Sequence, residues 1–340
     1  MDEKINYSVI IPHKNIPELL QRCLASIPRR EDVQIIVVDD NSDPDKVDFE
    51  HFPGLNDPFV EVVFTKEGKG AGYARNVGLK KAIGKWLLFA DADDFYNYCI
   101  NYILDEYVNS DADIIYFKHN GLDSAMNIIE FRVSCFNTDI DYWLHSPQAA
   151  DPFLRYKRGA VWAKIFKYEL IRKNNIFFDE VSIANDNTFL YLAGFFANSI
   201  YADSRVLYCA TIRQGSIRYS KRTIENNLDL LYVNGKRYRF FKEHRIAINN
   251  NISFVNYLVK LYFIDKTNFK KAKDILLNLG FTSGEILRLC INNILIYIPN
   301  KIKKYFGKFQ HNWKWHIKKM SAFTIIVLIY NAEHYFQFRL

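Results

Sequence analysis

The chain has 340 residues, long enough for a large domain with an appendage or for two domains, and with 49% of them hydrophobic and 16% aromatic a real core can form. The net charge of +7 conceals two opposite regions: residues 221–319 hold 20 lysines and arginines against 6 acids, whereas residues 1–220 hold 24 against 31. Such asymmetry implies two jobs, and the basic part would suit an anionic lipid, an acidic polymer or nucleic acid.

In chain order, the apolar run Tyr7–Ile11 predicts a strand. Pro17–Ile27 predicts an amphipathic helix with Leu19, Leu20, Cys23, Leu24 and Ile27 on one face. Val33–Val38 is a second buried strand and ends in Asp39-Asp40-Asn41-Ser42. Val60–Phe64 is a third. Ala71–Ile83 predicts a helix with Gly84 as its C-terminal stop. Lys85–Ala90 is a fourth strand, followed by helix Ile100–Asn109 and strand Ile114–Phe117. Strands alternating with helices indicate crossover units and a mostly parallel sheet. Ile128–Val133 reads as a strand and Ile140–His145 as a short helix. Val161–Lys167 is strand-like, Glu169–Lys173 a helical turn, Asn187–Phe196 a helix and Ser204–Thr211 a strand. Beyond about residue 220 only helical periodicity remains, over Tyr232–Glu243, Phe254–Phe263, Phe269–Leu279 and Glu285–Ile298, so a domain boundary is expected there.

The five cysteines, Cys23, Cys99, Cys135, Cys209 and Cys290, have neither metal-ligand nor redox spacing, which predicts a reduced, cytosolic setting. The first apolar run is too short for a signal peptide. No stretch reaches the roughly 18 apolar residues of a spanning helix.

Several acidic and glycine-rich segments fall at predicted strand ends. Phe89–Tyr96 reads FADADDFY, placing Asp91, Asp93 and Asp94 where the strand stops. Hard divalent cations bind through one or two carboxylates plus phosphates, and ligands collect at strand ends of α/β sheets. An Asp-rich turn of purely structural use has the same appearance. Asp40 ends the second strand, where it could accept a hydrogen bond from a base edge or cap a turn. Gly68–Asn76 is a glycine-rich loop opening a helix, without the spacing of known phosphate fingerprints. Its N–H groups and Arg75 could still favour an anion. Asp186, in Asn185-Asp186-Asn187-Thr188, is either a helix cap or a carboxylate able to take a proton from a hydroxyl.

Together these segments resemble glycosyltransferase family 2 over about residues 6–220. The resemblance rests on SVIIPHKN (Ser8–Asn15), CLASI (Cys23–Ile27), IIVVDDNSD (Ile35–Asp43), ARNVGLKKAIGKWLLFADADD (Ala74–Asp94), VWAKIFKYELI (Val161–Ile171), FFDE (Phe177–Glu180) and RQGSI (Arg213–Ile217). It implies an α/β fold of the GT-A type, Rossmann-like, with flanking helices and here a helical C-terminal extension, dividing as 1–220 and 221–340. It further implies an inverting, metal-dependent transfer from a nucleotide sugar, UDP-linked by expectation, to a glycan or lipid-linked glycan. Pro12, Asn15 and Asp40 would line the nucleobase pocket, with Arg75 beside the nucleotide. Asp91 and Asp93 would form the DxD pair for Mg²⁺ or Mn²⁺, with Asp93 the direct ligand. Asp94 would support them or meet the sugar, Trp162 and Lys164 would sit at the acceptor side, and Asp186 would be the base. The chain departs from the family pattern at Lys14, where an aromatic is usual, near Asn97-Tyr98, where a proline is usual, and at Asn185, where a Glu is usual.

In the C-terminal part, Lys301, Lys303, Lys304, Lys308, Lys314, Lys318 and Lys319 interleave with Tyr305, Phe306, Phe309, Trp313 and Trp315 after an apolar helix. This composition predicts contact with an anionic membrane surface through 281–330, peripheral on the inner face of the cell membrane. A helical appendage with solvated lysines is the plainer reading. Nucleic acid is not expected, because the acidic first part would repel it and no binding motif occurs. Two other functions compete. A nucleotidyltransferase on a similar fold would need a basic triphosphate loop near the first strand, which is absent apart from Lys14. A degenerate, non-catalytic membrane-docking domain is opposed by the intact Asp91, Asp93 and Asp186.

Overall fold

The structure, a computed structural model, describes residues 5–123, 130–157, 160–212, 222–247 and 253–292. The chain divides into two compact units, one up to Arg222 and one from Thr223 onward.

The first unit runs β1 (Tyr7–His13), α1 (Pro17–Ala25), β2 (Val33–Asp40), β3 (Val60–Thr65), α2 (Ala71–Lys81), β4 (Trp86–Phe89), β5 (Phe95–Tyr96), α3 (Ile100–Tyr107), β6 (Ile114–Leu122), α4 (Glu130–His145), α5 (Pro147–Tyr156), β7 (Lys164–Lys167), α6 (Tyr168–Lys173), α7 (Asn187–Phe196) and β8 (Ile200–Thr211). Its eight strands lie in the order β3-β2-β1-β4-β7-β6-β8-β5. The half from β3 to β4 is parallel throughout. β7 then runs antiparallel between β4 and β6, β6 and β8 are parallel, and β5 is antiparallel to β8, so the sheet is mixed, with parallel pairs in the majority.

Alternation along the strands supplies two cores. Tyr7, Val9, Ile11, Ile35, Val37, Trp86 and Leu88 face one layer with α1 and α3. Ile10, Ile36, Val38, Leu87 and Phe89 face the other with α2 and α7. Both layers are needed because a parallel sheet must be covered on both faces. Two glycines permit close packing: a Cβ on Gly78 would stand 2.5 Å from Ile10, and one on Gly84 would stand 2.6 Å from the Tyr7 carbonyl carbon. Gly84 therefore does not stop α2 by a left-handed turn. The helix ends at Ala82 in extended backbone, and Gly84 is the place where the chain passes against β1.

The strand expected at Ile128–Val133 is replaced by the start of α4, since residues from Glu130 are helical; Ile128 and Ile129 lie outside the described residues. The expected short helix Ile140–His145 is the end of the same α4. Buried Phe136 and Ile140, four apart, give the helical period, and a short apolar run cannot distinguish the two elements. β7 is confined to Lys164–Lys167, preceded by Ala163 at φ 55°.

The second unit contains α8 (Ile224–Glu243), α9 (Ser253–Ile264) and α10 (Lys266–Asn278), with residues 283–292 also helical. Thr223 and Asn226 form a capping box at α8, and Asp265 caps α10. Leu231, Val255, Leu258, Ala272 and Leu276 form its core. No helix among the described residues is long and apolar enough to cross a membrane. Residues 301–319, with their lysines, and Arg213–Ile217 lie outside the described residues.

Candidate active site

The parallel half of the sheet carries the C-terminal ends of β1, β2 and β4 side by side. At β2 the two aspartates differ. Asp39 is 1% exposed and receives hydrogen bonds from His13 Nδ1 (2.8 Å), Ser42 N (2.9 Å) and Ser42 Oγ (2.5 Å). Ile16 N–H donates to His13 Nε2 at 3.1 Å, which leaves Nδ1 to carry the proton shared with Asp39. Burial alone would raise the Asp39 carboxyl, but the His13 and Ser42 bonds outweigh it and hold the group below the usual carboxylate range. Asp39 thus fixes the loop after β1. Asn15, at φ 59°, joins the same brace: its N–H donates to Ser42 Oγ (2.8 Å) and its Oδ1 accepts from Asp43 N–H (2.7 Å).

Asp40, 2% exposed, is the unfinished member. Its Oδ2 accepts from Gly70 N–H at 2.8 Å and lies 3.5 Å from the Lys14 ammonium, while its Oδ1 is buried without a partner. The N–H of the glycine-rich loop nearest to β2 is therefore engaged by protein and not open to an anion. Pro12 is buried in β1 beside Val38.

At β4 the turn is crowded with carboxylates. Arg75, 5% exposed in α2, donates to Asp91 Oδ1 at 2.5 Å and to Asn185 Oδ1 at 2.8 Å, and its Nε is buried without a partner. Arg75 thereby links the strand end to the segment that leads into α7. Burial pushes Asp91 up; Arg75 opposes this, and Asp93 and Asp186 add to it. Asp94 is pushed well above its ordinary value by burial and then by Asp91 and Asp93, although Thr211 N–H donates to it at 2.6 Å. The Asp93 carbonyl accepts from Arg22 Nη2 and Thr211 Oγ1, both at 2.5 Å. Tyr208 Oη accepts from Asp91 N–H at 2.9 Å, and Trp162 stacks on the Tyr208 ring at 5.0 Å.

Asp186 occupies the N-cap position of α7 but makes no side-chain capping bond. Its carboxylate is thus spared the structural use that its position invites. The segment before it is braced from α2: Asn76 exchanges hydrogen bonds with Phe178 at 2.9 and 3.0 Å, and a Cβ on Gly72 would stand 2.1 Å from the Asp179 carbonyl oxygen. Lys164 is 2% exposed, donates to the Ala160 carbonyl and lies over the Phe136 ring at 4.6 Å. Burial lowers it to about 7, and the Asp186 charge partly offsets that. Lys164 is therefore a buried amine that feels the Asp186 charge, not a surface group.

Among the described residues no group of three or more His, Cys, Asp or Glu side chains forms a ready metal cage. Mg²⁺ and Mn²⁺ bound to a diphosphate need only one or two carboxylates. The elevation of Asp91 and Asp94, to which the neighbouring Asp93 charge contributes, is the chemistry of a donor set that a cation would relieve, so the residues fit such an ion. Arg22, Thr211, Tyr208 and Asn185 were not legible as site residues. Each acts through a contact more than 70 positions away in sequence, and only the departure at Asn185 marked its place.

A family model described as Glycosyl transferase family 2 matches residues 8–129. EpsH of Bacillus subtilis, which carries a glycosyltransferase name, is 24% identical over 273 residues, 73% of this chain and 76% of its own length. The poly(ribitol-phosphate) beta-N-acetylglucosaminyltransferase TarS of Staphylococcus aureus is 28% identical over 225 residues, which is 62% of this chain and 36% of that protein. A crystal structure of TarS 1-349 in complex with UDP-GlcNAc superposes with a TM-score of 0.52 at 21% identity, covering 86% of this chain and 80% of that one. The architecture is the mixed α/β sheet with flanking helices of the GT-A fold.

Proposed function

From the family-model match over residues 8–129 and the likeness to EpsH, we propose that the chain is a family 2 glycosyltransferase that moves a sugar from a uridine-diphosphate sugar to a hydroxyl of a glycan or lipid-linked glycan in surface-polysaccharide synthesis, inverting the anomeric centre. The observation that carries this reading is the Arg75 bridge, which ties Asp91 to the segment bearing Asp186. A donor site and a base must share one cleft for a single displacement, and one arginine in α2 draws their two elements together.

In this reading the unpartnered Asp40 Oδ1 takes the base N–H, with Pro12 in the wall and Asn15 holding the loop. Arg75 Nε, buried and unpaired, remains for an anionic oxygen. Asp93, with Asp91, would hold Mg²⁺ or Mn²⁺, which when bound neutralises charge building on the leaving diphosphate. Asp186 deprotonates the acceptor hydroxyl, and its freedom from capping leaves it available for that proton. Asp94 and Trp162 support the turn through Thr211 and Tyr208. Lys164, when protonated, adds a positive charge within electrostatic reach of Asp186. The division of labour is a catalytic part over 1–220 and a basic helical part over 221–340. Its 281–330 segment would rest peripherally on the anionic inner face of the cell membrane, a reading supported by its lysines and aromatics.

The test is UDP release from a panel of UDP-sugars with and without Mn²⁺, using a purified membrane fraction as acceptor. Asp186→Asn should lower turnover by about 10²–10⁴-fold while leaving UDP affinity within about twofold. Full turnover in that variant would remove the base assignment. No release from any UDP-sugar would remove the donor.

A further inference from the structure

At the end of β1 and β2, three features meet around one carboxylate. Asp40 Oδ1 is a buried carboxylate oxygen with no partner. The Lys14 ammonium lies 3.5 Å from the other oxygen of the same carboxylate, on a side chain 47% exposed and so able to move. Gly68, at φ 63°, brings its loop over that ammonium, since a Cβ there would stand 3.7 Å from Lys14 Nζ and 3.6 Å from Asn41 Nδ2. The Asp40 carboxylate is held in place by Gly70 N–H, so Lys14 is not needed to fix it. At 3.5 Å the ammonium is at the outer limit of hydrogen bonding and covers the carboxylate rather than engaging it closely.

We propose that Lys14 is a base-reading residue, which donates to the carbonyl of a uracil ring while Asp40 Oδ1 accepts the adjacent imide N–H. This rests on the uridine-diphosphate reading of the site. A fixed acceptor beside a movable cation is complementary to a ring edge that offers N–H next to C=O. Uracil presents that edge. Cytosine reverses it, setting a ring-nitrogen lone pair against the carboxylate and an amino group against the ammonium. A site built to hydrogen-bond one edge rejects the other because its own polar groups would be left unpaired. The ammonium leaves Asp40 when the base enters, and the base carbonyl replaces what it loses.

The experiment is calorimetric titration of the full chain with uridine and cytidine 5′-diphosphates, for the wild type, Lys14→Met and Lys14→Gln. The wild type is expected to bind the uridine nucleotide at least about tenfold more tightly. Lys14→Met should weaken uridine binding by about five- to tenfold and leave cytidine binding unchanged, so that the ratio collapses. Lys14→Gln, which keeps a donor, should recover part of the ratio. The side chain is exposed, so neither variant is expected to perturb folding, and unchanged melting temperatures check that. An unchanged ratio in Lys14→Met, with the wild type still binding uridine nucleotide, would overturn the role of Lys14 alone. Tighter binding in Lys14→Met would also overturn it, showing a plug and not a reader. Failure of the wild type to bind uridine diphosphate would overturn the donor reading as well.

Discussion

The ends of β2 and β4 look alike in sequence, each an apolar strand closing in aspartates, yet they solve the burial of charge in opposite ways. At β2, Asp39 is matched by more donors than it has oxygens, and its carboxyl is held low. At β4, three carboxylates crowd one turn, and burial and their mutual repulsion drive Asp91 and Asp94 up. An acidic strand end supplied with donors is scaffolding. One whose carboxyls repel one another is the place where a bound cation would add stability that the fold does not supply. Asp40 lies between the cases, with one oxygen served by Gly70 and one left open.

The largest expected effect comes from removing charge at β4. Asp93→Asn should lower turnover about thousandfold, as should chelation of divalent metal in the wild type, while the melting temperature holds or rises because a like charge is gone. A drop in melting temperature that matched the loss of activity would erase the contrast, making this turn scaffolding too.

Lys164 extends the contrast to a buried cation. Its folded value of about 7 lies below the ordinary 10.5, so between these values the unfolded chain binds the proton and the native chain does not. Stability on this account rises with pH from about 7 to 10.5, and the cost of burying the charge is fully present below 7. Lys164→Met should be more stable than the wild type by on the order of a few kcal/mol at pH 7. The gap should close toward pH 10.5. Urea unfolding across that range checks it, and parallel curves would show that the ammonium is not strained by burial.

Asp39 and Asp94 should give opposite pH signatures. The lowered Asp39 carboxyl contributes stability above its ordinary 3.8, lost as pH falls through its folded value. Asp39→Asn should therefore cost about 2 kcal/mol near neutrality and progressively less in acid. The raised Asp94 carboxyl costs stability as pH climbs from 3.8 through its higher folded value. Asp94→Asn should match the wild type in acid and gain on it toward neutral pH. Slopes of the same sign would refute the distinction between the two strand ends.

The sequence made one side of this comparison readable and hid the other. Strands β1, β2 and β4 were legible because buried parallel strands are unbroken apolar runs, and the aspartates at their ends were visible for the same reason. The reversal of β7 was not, because strand direction leaves no mark on a segment of four residues. Nor could the sequence separate Asp39 from Asp40. Only the fold shows that His13 and Ser42 serve one of them and Gly70 the other. Arg75 was visible as a cation near a glycine-rich loop, but its partners lie 16 and 110 residues away.

The smallest effects should still separate the two ends. Ser42→Ala removes the hydroxyl that donates to Asp39 and accepts from Asn15 N–H, taking one of three donors from the buried Asp39 and the acceptor from a half-buried N–H. It should cost about 1–2 kcal/mol in urea unfolding and change the metal dependence of turnover little. Thr211→Val removes one of two donors to the Asp93 carbonyl, and Arg22 remains. Its stability cost should be about 0.5–1 kcal/mol, because the carbonyl stays satisfied. What should change is the Mn²⁺ concentration for half-maximal turnover, raised about two- to fivefold as the turn bearing Asp93 loosens. If Ser42→Ala shifted that concentration and Thr211→Val did not, the assignment of scaffold to β2 and cation site to β4 would have to be exchanged.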